Sequence, residues 1–201
     1  MRRWVLSFIL FFALSGLVQG KTVLVLGDSI SAGYGLENIQ QGWVALLQEK
    51  LRPRGISVIN ASVSGDTSAG GLARLDPLLA EHRPAVVILE LGGNDGLRGL
   101  SPQQMEANLE ALVDRSRAAG AQVLLLGMKI PPNYGKRYTE MFQDVYRRVA
   151  ERKEVAWVPF LLEGVGGRDA LMQTDGIHPN RDAQAILFAR VWEKLEPLLS
   201  P

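Results

Sequence analysis

The sequence predicts an α/β fold, a three-layer sandwich in which helices cover both faces of a central, mainly parallel sheet of five strands. Five short runs rich in Val, Ile and Leu alternate with stretches whose apolar residues recur at helical spacing. The runs are too uniformly apolar for strands with one face in water, which is typical of parallel strands buried on both sides. Strand and helix alternation of this kind indicates βαβ units.

The five predicted strands are short. The third, from Ala85 to Glu90, is the most strongly apolar, and the first ends at Gly27. In order, the predicted strands cover residues 22–26, 57–60, 85–90, 122–128 and 155–158.

Five helices are predicted between and after these strands. The third begins at an N-cap, Ser101, followed by Pro102 at the first helical position and Gln104, which completes a capping box. The second spans residues 72–81, with Pro77 in its first turn or at a kink. The last begins at about Asn180. The apolar stripes of the first, third, fourth and last helices are Trp43, Leu46, Leu47 and Leu51; Met105, Leu109, Leu112 and Val113; Met141, Phe142, Val145, Tyr146 and Val149; and Ile186, Leu187, Val191 and Leu195.

Residues 1–20 have the layout of a secretory signal peptide. A cationic start, Met1-Arg2-Arg3, precedes an apolar stretch from Trp4 to Leu14 and then small residues. The alternatives are a buried N-terminal helix or an uncleaved anchor. We expect cleavage, export to the periplasm, and a mature single domain over residues 21–201 without a membrane span.

Composition excludes several classes of function. The net charge is +1 and becomes −1 without the two arginines of the first twenty residues, which argues against non-specific nucleic-acid binding. The chain has no cysteine, so disulfides, thiolate catalysis and cysteine-ligated zinc are excluded. Two histidines argue against a multi-histidine metal site. No dinucleotide fingerprint, P-loop or G-x-S-x-G motif is present.

The chemistry-bearing residues follow the predicted strands. Ligands of open α/β sheets bind outside the carboxyl ends of the strands, so these separated segments are expected to converge at one edge. In chain order they are Gly27-Asp28-Ser29-Ile30-Ser31, Ser64-Gly65-Asp66-Thr67, Gly92-Gly93-Asn94-Asp95, Pro131-Pro132-Asn133-Tyr134-Gly135 and Asp175-Gly176-Ile177-His178-Pro179-Asn180.

Ser29 is the preferred nucleophile, because it leaves a buried strand through a glycine at the expected edge. The plain alternative is a helix-capping serine, and Ser31 is a competitor for the role. His82 lies among charges at the opposite edge, which favours His178 as the base. Asp175, three residues earlier, can fix the histidine tautomer. The alternative here is a capping aspartate beside an incidental histidine.

Acyl transfer also needs donors for the oxyanion. The candidates are the backbone N–H groups of Ser29 and Gly65 and the side-chain amide of Asn94. A turn glycine and a turn asparagine are the plain alternatives. Asp28, Asp66 and Asp95 could suggest a carboxylate metal site, but each lies beside a candidate above and can cap a turn, so we predict no metal.

Four blocks in order, Gly27-Asp28-Ser29, Gly65, Gly92-x-Asn94-Asp95 and Asp175-x-x-His178, resemble the SGNH (GDSL) hydrolases. The flanking residues look like the bacterial periplasmic multifunctional thioesterase/lysophospholipase/arylesterase group. The resemblance implies a flavodoxin-like fold, an acyl-enzyme on Ser29, His178 as base and acid, and Asp175 as its orienting residue. It also implies Ser29, Gly65 and Asn94 as the oxyanion hole, and no cofactor.

The expected substrate is a small acyl ester or thioester, including lysophospholipids, acted on by a monomer. Expected lining residues of an acyl groove are Leu97, Leu100, Ile130, Pro131 and Tyr134, with plain packing under loops as the equal alternative. Two other functions stay open. One is a deacetylase of envelope polysaccharide on the same scaffold, and the other is a non-catalytic periplasmic binding module.

Overall fold

A computed structural model describes residues 21–200, in which five parallel strands form one sheet. The predicted signal peptide, residues 1–20, lies outside the described residues. The strand order is β2-β1-β3-β4-β5, and every neighbouring pair is parallel, which confirms the predicted sheet. The strands are β1 (Thr22–Gly27), β2 (Ser57–Asn60), β3 (Val86–Glu90), β4 (Gln122–Leu126) and β5 (Ala156–Val158).

Helices cover the sheet in two layers. The α-helices are α1 (Ser29–Ala32), α2 (Trp43–Leu51), α3 (Ser68–His82), α4 (Gly93–Leu97), α5 (Pro102–Ala118), α6 (Lys136–Lys153) and α7 (Gln184–Leu195). Short 3-10 turns span Ile39–Gln41, Arg52–Arg54, Pro132–Tyr134, Asp169–Leu171, Arg181–Ala183 and Glu196–Leu199. Helices α3, α5 and α6 pack side by side, and α2 packs against α7. Among residues 21–200, no helix combines the length and the apolar character needed to cross a membrane.

The sheet topology creates a crevice between β1 and β3. From β1 the chain runs outward to β2 and then returns across β1 to form β3. The connections on the two sides of this point diverge, which opens a crevice beyond the carboxyl ends of the two strands. All five residues of β3 are buried, so the base of the crevice is rigid core. The turns after β1 and β3 form its walls.

The second predicted helix begins earlier than expected. Helix α3 starts at Ser68 rather than Leu72, because the side chain of Thr67 accepts a hydrogen bond from the Gly70 N–H and caps the helix there. Pro77 therefore lies in the helix interior and not in the first turn. Strands β3, β4 and β5 are one or two residues shorter than predicted.

The last helix also differs from its prediction. Helix α7 begins at Gln184, because Asn180 accepts hydrogen bonds from the N–H groups of Asp182 and Ala183 and caps a short 3-10 turn first. Leu187, which faces inward as predicted, is fully buried, whereas Ile186 is 36% exposed. Successive residues of a helix are rotated by about 100°, so the neighbour of a buried leucine turns away from the core.

Candidate active site

Ser29 is the first residue of α1, at the carboxyl end of β1. Asp28 caps this short helix by accepting a hydrogen bond of 3.0 Å from the Ile30 N–H. The chain therefore turns sharply directly after a strand that is buried from Val23 to Gly27, and Ser29 is left half-buried at the mouth of the crevice. This is the edge of the sheet predicted for Ser29 from the sequence.

His178 and Asp175 meet Ser29 at this edge. The Nε2 atom of His178 lies 2.9 Å from the Ser29 Oγ, although 149 residues separate the two in sequence. The Nδ1 atom lies 2.6 Å from the Asp175 Oδ2. The three side chains thus form one hydrogen-bonded chain in the order Asp175, His178, Ser29.

Asp175 is held in place by its own loop. Its Oδ1 accepts hydrogen bonds from the backbone N–H groups of Ile177, at 2.9 Å, and His178, at 3.0 Å. These bonds, first the one from the His178 N–H, lower the pKa of Asp175 to about 2. A carboxylate facing Nδ1 places the imidazole hydrogen on that nitrogen, so Nε2 is left free to accept the Ser29 proton.

Tyr34 is an aromatic neighbour of His178 that the sequence did not predict. The ring of Tyr34 lies 4.6 Å from the ring of His178, centre to centre, and Tyr34 is 55% exposed. The Gln173 side chain donates a hydrogen bond to the Tyr34 carbonyl and links this loop to the one that carries His178. A tyrosine between two glycines gives no local signal of this contact, because the two loops are distant in sequence.

Two of the predicted oxyanion donors are the backbone N–H groups of Ser29 and Gly65. Neither the Ser29 N–H nor the Gly65 N–H donates a hydrogen bond among residues 21–200. Gly65 has φ +81°, a left-handed conformation that favours glycine. Its carbonyl accepts a 2.7 Å hydrogen bond from Arg98, which fixes the following peptide.

Asn94, the third predicted donor, has both amide hydrogens engaged. Its Nδ2 donates to the Asp28 Oδ2 and to the Asp66 carbonyl, each at 2.9 Å. The side chain therefore joins the turn after β1 to the loop that carries Gly65. An oxyanion in this position would replace one of these two acceptors or share a hydrogen with it.

The competing residues lie in other arrangements. Ser31 is buried, and its hydroxyl donates a 2.7 Å hydrogen bond to Glu90 rather than facing the histidine. His82 ends α3, half-buried, with Nε2 3.8 Å from the Glu81 carboxylate. Among residues 21–200, neither side chain forms a hydrogen bond with Ser29, His178 or Asp175.

The aspartates considered for a metal site have separate partners. Asp66 forms two hydrogen bonds with Arg74, and Asp95 accepts from the N–H and hydroxyl of Ser68. Asp28 accepts hydrogen bonds from the Asn94 side chain and from the Ile30 N–H. In the described part of the chain, no three His, Cys, Asp or Glu residues are grouped so as to hold a metal ion.

The residues predicted to line an acyl groove divide into two sets. Leu100 and Tyr134 are 44% and 37% exposed, and the Tyr134 hydroxyl donates to the Leu97 carbonyl at 2.9 Å. Ile130 is buried, and its side chain packs so closely on Gly96 that a Cβ there would lie 2.6 Å from it. Ile130 is therefore a packing residue, and the prediction that it lines a groove was wrong.

The chain resembles known proteins in both sequence and structure. A family model described as GDSL-like Lipase/Acylhydrolase family matches residues 25–186. Esterase TesA of Pseudomonas aeruginosa is 59% identical over 181 residues, covering 89% of this chain and 90% of the relative. Thioesterase 1/protease 1/lysophospholipase L1 of Escherichia coli K12 is 45% identical over 199 residues, covering 98% and 95%. An arylesterase of Vibrio mimicus is 46% identical over 193 residues, covering 94% and 96%.

Two solved structures give the same result. A crystal structure of TesA superposes with a TM-score of 0.86 at 58% identity, covering 89% of this chain and all of the other. The psychrotrophic esterase EstA from Pseudoalteromonas sp., inhibited by monoethylphosphonate, gives 0.83 at 43% identity, covering 89% and 98%. With a family model that spans most of its length and relatives that it matches almost end to end, the chain belongs to the GDSL-like lipase/acylhydrolase family, the SGNH hydrolases.

Proposed function

We propose that this chain is a serine hydrolase that cleaves carboxylic ester and thioester bonds of acyl substrates through an acyl-enzyme. The observation that carries the proposal is the hydrogen-bonded chain from Asp175 through His178 to Ser29. Beside it lie the backbone N–H groups of Ser29 and Gly65, which donate no hydrogen bond among residues 21–200. The names of the relatives, which include esterase, thioesterase, lysophospholipase and arylesterase, support the same chemistry.

In the first step the Ser29 Oγ attacks the carbonyl carbon of the substrate. His178 Nε2, 2.9 Å away, takes the hydroxyl proton as the new C–O bond forms. The imidazolium that results is stabilised by the Asp175 carboxylate against Nδ1. The carbonyl oxygen becomes an oxyanion, which the Ser29 and Gly65 N–H groups and the Asn94 amide bind.

The tetrahedral intermediate then collapses. Its C–O or C–S bond to the leaving group breaks, and His178 gives its proton to the departing alcohol or thiol. The acyl group stays on Ser29 as an ester. Water repeats the attack with His178 as base, and the carboxylic acid leaves as the Ser29 hydroxyl is restored.

The substrate class follows from the exposed apolar side chains next to the site in sequence. Val63 and Ile177, each within two residues of a proposed site residue, are 48% and 41% exposed, and Tyr34 contacts His178 directly. Apolar surface of this kind suits an acyl chain. We therefore place fatty-acyl esters, including lysophospholipids, ahead of acetyl esters of polysaccharide.

A panel of substrates tests this choice. We expect kcat/KM for p-nitrophenyl esters to rise about tenfold or more between the acetyl ester and medium-chain acyl esters, because each buried methylene contributes about 0.8 kcal/mol. Acyl-CoA and lysophospholipid are measured beside them to separate thioester from ester preference. A preference for acetyl esters, or for acetylated polysaccharide over every acyl substrate, would favour the deacetylase function instead.

Replacing Asn94 with alanine is expected to lower kcat by about 10²-fold with little change in KM. Loss of a side-chain donor to an oxyanion has an effect of this order in other acyl-transfer enzymes. Asn38→Ala, which removes an exposed asparagine that caps a short turn, is the control and keeps its kcat. Thermal unfolding of both variants checks the fold. An unchanged kcat in a folded Asn94→Ala protein would remove Asn94 from the oxyanion hole.

We further propose that residues 1–20 are removed on export and that residues 21–201 act in the periplasm as a single-domain monomer. The cationic start and apolar stretch of the first twenty residues support export. Intact mass of the protein from the periplasmic fraction tests the cleavage, and sedimentation tests the monomer. A mass that includes Met1–Gly20 would contradict removal.

A further inference from the structure

Glu90 lies under the turn that carries Ser29. It ends β3 and pairs with Gly27 of β1 across the sheet. The residue is fully buried, and its Oε2 accepts hydrogen bonds from the Asp28 N–H at 3.2 Å and from the Ser31 hydroxyl at 2.7 Å. These two donors flank Ser29, so one carboxyl group holds the turn on both sides of the proposed nucleophile.

Gly27 allows this close approach. A Cβ at Gly27 would lie 2.8 Å from the Glu90 Oε2 and 2.7 Å from the Ser31 Oγ, closer than real contacts of this kind. The absence of a side chain at Gly27 thus gives the carboxyl group the space it occupies. The glycine of the Gly27-Asp28-Ser29 block and Glu90 therefore form one packing unit.

Glu90 also reaches the oxyanion hole through Asp28. The Asp28 N–H donates to Glu90, while the Asp28 carboxylate accepts from the Asn94 side chain at 2.9 Å and from the Ile30 N–H at 3.0 Å. The position of Asp28 is thereby coupled to both Glu90 and Asn94. A shift of the Glu90 carboxyl would move the nucleophile and one oxyanion donor together.

The surroundings of Glu90 disfavour its charged form. The Oε1 atom is buried and has no hydrogen-bond partner among residues 21–200. Burial, and then the negative charge of Asp28, raise the pKa of Glu90 well above its usual range. The Tyr146 hydroxyl nearby is also fully buried and donates to the Leu91 carbonyl.

We propose that Glu90 is a positioning residue that fixes the turn carrying Ser29 and, through Asp28, the Asn94 amide. The proposal rests on the proposed function, because it assigns Glu90 a role toward the Ser29 nucleophile. Glu90 touches neither substrate nor reacting atoms and acts only through the two hydrogen bonds that it accepts.

The test compares Glu90→Gln, Glu90→Leu and Ser31→Ala with the parent protein. Glutamine keeps the shape and an acceptor oxygen, so we expect kcat within about threefold of the parent. Leucine offers no acceptor, and we expect kcat to fall about 10²-fold with KM nearly unchanged, since small displacements of reacting groups have effects of this order. Ser31→Ala removes one of the two donors and is expected to lower kcat about tenfold.

Ser116→Ala is the matched control for Ser31→Ala. Ser116 is also fully buried and donates one hydrogen bond, at 2.7 Å to the Leu112 carbonyl within α5. We expect its kcat to equal that of the parent. In a double-mutant cycle, Ser31→Ala is expected to add little to Glu90→Leu, because the two act on the same contact. If Glu90→Leu does not fold, the Ser31→Ala and Glu90→Gln results decide.

Two kinetic results would overturn the proposal. One is a folded Glu90→Leu or Ser31→Ala protein with parental kcat, and the other is a Glu90→Gln protein as impaired as Glu90→Leu. Labelling of Ser29 by a fluorophosphonate is measured in parallel, with slower labelling expected for Glu90→Leu. Parent protein that fails to label at Ser29 would contradict the proposed function itself, whereas normal labelling of every variant would contradict only the role of Glu90.

Discussion

Replacing Ser29 with alanine is expected to abolish turnover, with a fall in kcat of about 10⁴-fold or more. The Ser29 Oγ is the atom that would form the acyl-enzyme, and it is the hydroxyl placed 2.9 Å from His178 Nε2. Serine-triad enzymes that lose the nucleophile retain only the weak catalysis that the oxyanion hole and substrate binding provide. Steady-state hydrolysis of a p-nitrophenyl acyl ester measures the loss.

Ser31→Ala is the internal comparison for this variant. Ser31 is two residues away, yet its hydroxyl is buried and bonded to Glu90 rather than to His178. We expect its loss to be about three orders of magnitude smaller than that of Ser29→Ala. Near-parental activity in Ser29→Ala, together with inactivity of Ser31→Ala, would exchange the two roles.

Replacing Asp175 with asparagine is expected to lower kcat by about 10³- to 10⁴-fold while the protein stays folded. An amide facing Nδ1 donates a hydrogen where the carboxylate accepts one, so the imidazole hydrogen moves to Nε2. That nitrogen then donates to Ser29 and no longer accepts its proton. The side-chain oxygen of asparagine can still accept the backbone N–H groups of Ile177 and His178 that hold the loop.

Asp169→Asn is the control for Asp175→Asn, since it makes the same change at an exposed position six residues earlier. We expect it to keep parental kcat. The pKa of Asp175 is about 2, so its carboxylate is charged throughout pH 5 to 9. The ratio of parent to Asp175→Asn activity in that range therefore carries no contribution from titration of Asp175. A kcat within a few-fold of the parent would contradict the orienting role.

The strands and the site edge could be predicted because both depend on strong, local signals. The apolar runs of β1 and β3 are buried. They lack the alternation of apolar and polar residues that a half-exposed antiparallel strand shows. Polar clusters that follow parallel strands lie at one edge of the sheet, and this rule alone predicts that Ser29 and His178 lie close together. The predicted sheet is confirmed, and the roles of the site residues stay predictions.

Contacts made by long-range packing could not be predicted in the same way. Helix α3 begins earlier than predicted because Thr67 caps it, so Pro77 lies inside the helix. Ile130 packs closely on Gly96 and therefore does not line the predicted acyl groove. Tyr34 reaches His178 only because two loops cross. Glu90 offered a weak signal, a carboxyl group at the end of an otherwise apolar strand, but its function depends on partners across the sheet.

The position of a covalent adduct tests the central claim most directly. The protein is treated with a fluorophosphonate, digested, and the modified peptide is sequenced by mass spectrometry. We predict one adduct per chain, on Ser29, absent from Ser29→Ala and formed much more slowly in His178→Ala. No adduct, or an adduct on another residue that persists in Ser29→Ala, would contradict the account.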